Sequence, residues 1–197
     1  VASSLPVQAL GITFDGGRIW TANLSAPASV SIVTPQSSLP WTVTTVTAGF
    51  TGPESVVFDG SNVWAVDTFG SSLKKLNGQG AILQTVTVGV APHEAIYDGA
   101  NFWVANANSI AVVRGSTGTV LATLTGNGLN APLSAAFDGT RFLATNSSGD
   151  SISLWKAADL TPLGSFPMPP SSAPAGACSD GLDFWIVLQS ANKLARF

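Results

Sequence analysis

Residues 92–106 read PHEAIYDGANFWVAN. A short apolar run leads to an aromatic residue and Asp-Gly. Three residues later a Trp opens a second run, which ends in Asn. Alternating segments of this length are half-buried strands, and Asp-Gly supplies the positive-φ tolerance of a tight hairpin between them. The same skeleton recurs as FDGGRIW, FDGSNVW, YDGANFW, FDGTRFL and SDGLDFW, with Asp15, Asp59, Asp98, Asp138 and Asp180 spaced by 44, 39, 40 and 42 residues. The third copy alone carries the chain's sole histidine, His93, followed by Glu94.

A period near 40 residues built of turn-punctuated strands predicts a β-propeller with one four-stranded antiparallel blade per repeat. In the third repeat strand a is expected at 93–97, b at 101–106, c at 109–114 and d at 119–124. In the first, second, fourth and fifth repeats strand a is expected at 11–14, 55–58, 134–137 and 177–179, with strand b of the first at 19–23 and Lys74 on strand c of the second, 72–76. The fifth repeat, ending at Phe197, lacks a strand d. Val1 to Leu5 falls at a strand-d position, so the reading is a single domain, residues 1–197, of five blades closed into a ring by the N-terminal strand, with a fragment of a larger ring as the alternative.

Composition agrees with an all-β fold and narrows the partners. Hydrophobic residues make up 45% and charged residues only 10% of the 197, against roughly a quarter charged in an average globular protein. A net charge of −3 without clustered Lys and Arg gives no electrostatic footprint for nucleic acid. No apolar run approaches the roughly 20 residues of a membrane span. The one cysteine, Cys178, sits at an apolar repeat position and is expected in the core. Ser/Thr-rich strands and few lysines suggest an exported protein, secreted or held in the cell envelope, and the start at Val1 without Met fits either a removed leader or an excised piece of a longer chain.

The repeated residues read as architecture, and function is sought in what does not repeat. Strand a should line a central channel, so its start and the end of strand b frame the channel mouth. Four residues before the aromatic stand Leu10, Glu54, His93, Leu133 and Ala175. Three after the Trp position stand Asn23, Asp67, Asn106, Asn146 and Leu188. The expected mouth is acidic and amide-rich, with no basic residue. Asn23, Glu54, Asp67, Asn106 and Asn146 are the candidate ligand-binding residues. Glu54, Asp67 and Glu94 are candidate ligands for Ca²⁺ or Mg²⁺, which prefer oxygen donors. His93 with Glu94 is the candidate catalytic pair, since an imidazole titrates near neutrality.

The pattern P-x-x-(small)-aromatic-D-G-x-x-x-W-x-x-N resembles the NHL/YVTN-type propeller repeats of bacterial surface and exported proteins. It is also similar to the blades of streptogramin B lyases. The resemblance covers nearly the whole chain and implies the propeller fold. For activity it implies a lyase, a lactonase or a scaffold. Three functions follow: a non-catalytic binding or scaffold module whose small-molecule, carbohydrate or protein partner meets the mouth, a metal-assisted lyase or lactonase using His93 with nearby carboxylates, and a lectin whose Trp faces stack on sugars. The lectin requires the repeated Trp residues to be partly exposed.

Overall fold

The computed structural model describes residues 4–197, and every element in it is a β-strand. In chain order these are β1 (Ala9–Phe14), β2 (Ile19–Asn23), β3 (Ser29–Thr34), β4 (Thr42–Val46), β5 (Pro53–Phe58), β6 (Val63–Asp67), β7 (Ser72–Leu76), β8 (Ile82–Thr87), β9 (Glu94–Tyr97), β10 (Asn101–Asn106), β11 (Ser109–Arg114), β12 (Val120–Leu124), β13 (Pro132–Phe137), β14 (Arg141–Asn146), β15 (Ser151–Lys156), β16 (Pro162–Pro167), β17 (Pro174–Ser179), β18 (Phe184–Leu188) and β19 (Lys193–Arg196). They form five successive antiparallel meanders, the blades of a β-propeller fold. Four blades have four strands, and the fifth, β17-β18-β19, has three among the described residues. The strand expected to close the ring, Val1 to Leu5, begins in residues 1–3, which lie outside the described residues. Ser4 and Leu5 are not in a strand.

The chain divides into two compact units, Val1–His93 with blades one and two, and Glu94–Phe197 with blades three to five. Each has its own apolar seams. In the first unit Trp20, Ala22, Val30 and Ile32 of blade one pack on Val56, Val63, Ala65 and Leu76 of blade two. In the second, Trp103 and Ile110 meet Ala135, Phe142 and Trp155, and Leu143 and Ile152 meet Phe184 and Ile186. In blades one to four strand b is buried on both faces, which is why it reads as a continuous apolar run instead of alternating.

The Asp-Gly hairpins behave as the sequence implies. Gly16, Gly60, Gly99, Gly139 and Gly181 all have φ between 92° and 98°, a conformation that costs a Cβ-bearing residue dearly. The aspartate does more than turn the chain. In the third repeat Asp98 Oδ1 accepts the N–H groups of Ala100 and Asn101 at 2.8 and 2.7 Å, while Oδ2 accepts the indole N–H of Trp103 at 2.7 Å. Asp15 with Trp20, Asp59 with Trp64 and Asp180 with Trp185 repeat this bond at 2.7, 2.7 and 2.9 Å. In the fourth repeat Leu143 replaces the Trp, and the Arg141 guanidinium takes Asp138 Oδ2 at 2.6 Å. The spacing D-G-x-x-x-W is thus that of one carboxylate pinning a turn and a buried ring together. At the exposed Asp180 the Asp183 N–H and the Trp185 indole hold the carboxyl down at about 2.

Strand a departs from the expected limits for one reason. It starts earlier in four blades, at Ala9, Pro53, Pro132 and Pro174, because pairing with strand b passes through a β-bulge. In blade two Pro53 faces Asp67 and the ladder resumes with Ser55 facing Val66, leaving Glu54 as the extra residue. A bulge re-aims the side chain it carries. The proline precedes it at the first strand position, where its missing N–H costs no ladder bond.

Candidate functional site

The ends of strand b prove to be internal struts. Asn23, Asp67 and Asn146 are fully buried and Asn106 nearly so. Each faces a serine across the b–c hairpin: Ser29, Ser72, Ser109 or Ser151. Asn23 donates to the Ser29 and Ser31 hydroxyls at 3.1 and 3.0 Å, and Asn146 to Ser151 and Ser153 at 3.1 and 2.8 Å. Asn106 donates to Ser109 at 3.3 Å. These amides hold strands b and c together inside the blade, with none of the surface a ligand would need. That corrects the assignment of Asn23, Asn106 and Asn146 as ligand-binding residues.

Asp67 is the charged version of the same strut. Lys74 stands where Ser31 and Ser153 stand in the other blades, and its ammonium lies 3.1 Å from Asp67 Oδ2. Thr51 N–H, the Thr51 hydroxyl and Gly52 N–H add bonds of 3.1, 2.7 and 2.8 Å to the same carboxylate. Burial pushes the Asp67 carboxyl up, but Thr51 and Lys74 together hold it below the ordinary value of 3.8. A basic residue therefore sits beside the expected acidic cluster, contrary to the sequence reading.

The other acids are similarly employed. Glu94 Oε2 accepts the N–H of Ala135 on β13 at 3.0 Å. Ser134, at the same repeat position, accepts the Ala177 N–H at 3.1 Å. Asp150 accepts the N–H groups of Ser171, Ser172 and Ala173 at 2.6, 2.8 and 2.9 Å. It thereby secures the d–a loop of the blade whose own strut position holds Leu188. Among the described residues no three His, Cys, Asp or Glu side chains gather where they would hold a metal ion. The donors Glu54, Asp67 and Glu94 do not fit Ca²⁺ or Mg²⁺, because Asp67 is buried against an ammonium and Glu94 is bonded to backbone.

One cluster remains with reactive groups turned outward. Glu54, on the β5 bulge, meets the His93 ring, whose Nδ1 lies 3.3 and 3.2 Å from its two carboxylate oxygens. The partner of His93 is thus Glu54, one repeat earlier, in place of the adjacent Glu94 expected from sequence. Thr68, just past β6, places its hydroxyl 2.9 Å from Glu54 Oε2 and 2.6 Å from the Pro92 carbonyl. Thr68 was missed by the sequence reading, although it immediately follows the strand-b end. The side chains of His93 and Glu54 are 29% and 22% exposed, so solvent and solutes reach both. The hydrogen bond to Glu54 raises the His93 pKa above 6.5, against burial, with the carboxylate charge adding to the rise.

That shift gives a directional expectation. A raised imidazole pKa means the pair contributes stability in full below pH 6.5 and loses it as pH climbs through the folded-state value. The single histidine makes the titration unambiguous by proton NMR. Wild type should titrate above 6.5, and Glu54→Gln should bring the midpoint down to or below it, since burial alone then acts. A wild-type midpoint at or under 6.5 would refute the pairing.

Of the repeated tryptophans, Trp20, Trp64 and Trp103 are at most 1% exposed and offer no face to a sugar, while Trp185 is half-buried. The opposite face of the first unit has a cavity of about 430 Å³ lined by Asp15, Arg18, Trp20, Asn62 and Asn77. Its polar groups are engaged in the turn: Arg18 is bonded to Asp15 and to the Gly78 carbonyl, and Asn62 to the Leu76 carbonyl.

No protein-family model matches the chain. No curated protein matches it either. Solved structures do. A catalytically inactive virginiamycin B lyase from Staphylococcus aureus, in a structure with quinupristin, superposes with a TM-score of 0.81 at 17% identity, covering 95% of this chain and 65% of that one. A second structure of the staphylococcal lyase gives 0.78 at 16% identity over 94% and 64%. The chain therefore spans a little under two thirds of these lyases. A nidogen/laminin complex gives 0.72 at 14% identity over 96% and 75%. The chain's structural neighbours are thus streptogramin B lyase-like and NHL/YVTN-type β-propellers, and the fold is theirs.

Proposed function

We propose that the chain is a non-catalytic binding module whose ligand is engaged at the Glu54–Thr68–His93 cluster. The observation that carries this reading is the His93 ring itself. Nδ1 is held by Glu54, and Nε2 forms no hydrogen bond with another described residue. An imidazolium fixed at one nitrogen is a directional, charge-assisted donor at the other. It suits a carbonyl, carboxylate or hydroxyl oxygen on a small molecule, a carbohydrate or a protein partner. Low charge, Ser/Thr-rich strands and the propeller repeat support an exported, bacterial setting.

A second reading draws on the lyase neighbours. The same pair serves as a general acid, His93 delivering the Nε2 proton to a leaving oxygen while Glu54 stabilises the cation. In this reading a lyase or lactonase works without the metal that the sequence suggested. One experiment separates the two. A panel of small carboxylates, lactones and sugars is added while the single His93 resonance and the compounds themselves are followed by NMR. Reversible shifts of His93, lost in His93→Ala, with every compound intact, support binding. Time-dependent consumption of a compound, abolished in His93→Ala, supports the enzyme and overturns the first reading.

A further inference from the structure

Two apolar residues break the repeat beside Glu54, Thr68 and His93. In three repeats the residue two before the proline that opens strand a is polar and donates its N–H to a side chain at the end of the b–c hairpin. Thr51 donates to Asp67 at 3.1 Å, Asn130 to Asn146 at 3.2 Å and Ser172 to Asp150 at 2.8 Å. The third repeat has Val90 there, and it is 75% exposed. The second residue of the four-residue b–c loop is Ser148 in blade four and Ser190 in blade five. In blade two it is Phe69, 68% exposed.

Both residues sit on loops that the cluster ties together. Phe69 follows Thr68, whose hydroxyl meets the Pro92 carbonyl at 2.6 Å. Val90 is two residues from Pro92, no more than about 7 Å along the chain. A second tie, the Val88 N–H on the Ser71 carbonyl at 3.2 Å, joins the same two loops at their other ends. The Phe69 ring is also fixed in place. It lies on Gly52, where a Cβ would come within 2.3 Å of Phe69 Cδ2. Ala91, Ala131 and Ala173 stand at that position in the three later repeats, and no left-handed φ calls for glycine at 52. The glycine makes room for the ring. An aromatic ring that is already positioned loses little freedom when a ligand covers it.

Resting on the reading of the His93 cluster as the ligand site, we propose that it takes a small organic acid, with the carboxylate on His93 Nε2 and an aromatic or branched apolar group on Phe69 and Val90. Charge decides the polar end. With Nδ1 held by Glu54, the imidazolium has one donor left to offer. Both Glu54 oxygens are engaged by His93 and Thr68, so the open charge is positive and suits an anionic acceptor. Size decides the rest. Phe69 and Val90 are the only large apolar side chains exposed in residues 47–52, 68–71 and 88–93, whereas a stable protein interface takes about 800 Å² from each partner. Two side chains and one donor match a molecule of a few carbon atoms around one carboxylate.

The test follows the His93 resonance and the probe signals by NMR, on the full chain and at a pH below the wild-type His93 midpoint. The probes are acetate, phenylacetate, benzyl alcohol and a short peptide ending in phenylalanine. Phenylacetate should bind with a Kd about tenfold below that of acetate, and benzyl alcohol should leave His93 unmoved. Phe69→Ser with Val90→Asn, the residues of the fourth repeat, should remove the tenfold gain and leave acetate binding as it was. Both side chains are exposed, so the variant should keep the wild-type circular dichroism and His93 midpoint. Gly52→Ala displaces the ring and should weaken phenylacetate alone. Equal binding of acetate and phenylacetate overturns the proposal and leaves the binding reading standing, whereas no response of His93 to any probe overturns both. Benzyl alcohol that matches phenylacetate overturns the carboxylate. A peptide that binds where phenylacetate does not overturns the small acid and gives the patch to a protein C-terminus. A wild type that self-associates in sedimentation until Phe69 and Val90 are replaced also overturns it, and gives the patch to a second copy.

Discussion

Replacing Lys74 with Met is expected to destabilise the protein by about 3–5 kcal/mol, the range for removing one partner of a buried ion pair. Asp67 is wholly buried and cannot turn to water when the ammonium 3.1 Å away is removed. The Thr51 and Gly52 donors remain, which argues for the lower end of that range. Lys74 also donates to the Gly49 carbonyl at 2.9 Å, and that bond is lost too. The informative companion is the double variant Asp67→Asn with Lys74→Ser. It writes into blade two the Asn–Ser–Ser strut that blades one and four already use. Asn146 accepts the Asn130 N–H at 3.2 Å, at the loop position where Asp67 accepts that of Thr51, so the amide preserves the loop clamp. The double variant should lie within about 1–2 kcal/mol of wild type, since no buried charge is left unpaired. Urea unfolding reads both. If Lys74→Met alone is within about 0.5 kcal/mol of wild type, the pair is not the buried ion pair described here. The pH dependence follows from the lowered Asp67 pKa. Its contribution is present above the unfolded value of 3.8 and disappears as pH falls through the folded one.

These struts show what the sequence made legible and what it hid. The blades were readable because Asp-Gly, the aromatic before it and the Trp after it recur at fixed spacing. Strands b and c came out with near-final limits, β2 and β10 among them. Strand a did not, because a bulge leaves no mark in alternation beyond one unmatched residue. The acidic cluster was read from which residues stand at the strand ends, and position alone does not reveal partners. Lys74 was placed on strand c, but its diagonal contact with Asp67 emerges only once the b–c register is fixed with Asp67 facing Ser72. Glu94 was paired with His93 by adjacency. Yet neighbours along a strand point to opposite faces, and the carboxylate that reaches the ring comes from the bulge one repeat earlier. Cys178 was assigned to the core by its repeat position, but it is exposed. That logic holds only where another blade covers the position.

Trp103→Ala should cost about 3–5 kcal/mol, as expected for emptying a large buried aromatic site. The indole is fully buried, stacks on Phe142 with centroids 4.5 Å apart, and donates to Asp98. Trp103→Phe keeps most of the packing and removes the N–H donor, so its cost should be about 1–2 kcal/mol. The fourth repeat supplies a control that separates ring from hydrogen bond. There Leu143 fills the site and Arg141 satisfies Asp138. Trp103→Leu alone leaves Asp98 without that donor and leaves part of the volume empty. Adding Asn101→Arg supplies the missing guanidinium at the position of Arg141. The second change should recover about 1 kcal/mol of the loss, the worth of a charge-assisted bond at a half-buried carboxylate. It should leave the packing deficit in place. Calorimetric melting of the four variants gives the comparison. If Trp103→Phe costs nothing measurable, or if Asn101→Arg recovers nothing, the carboxylate–indole bond is not what fixes the spacing of the repeat, and packing alone would have to account for it.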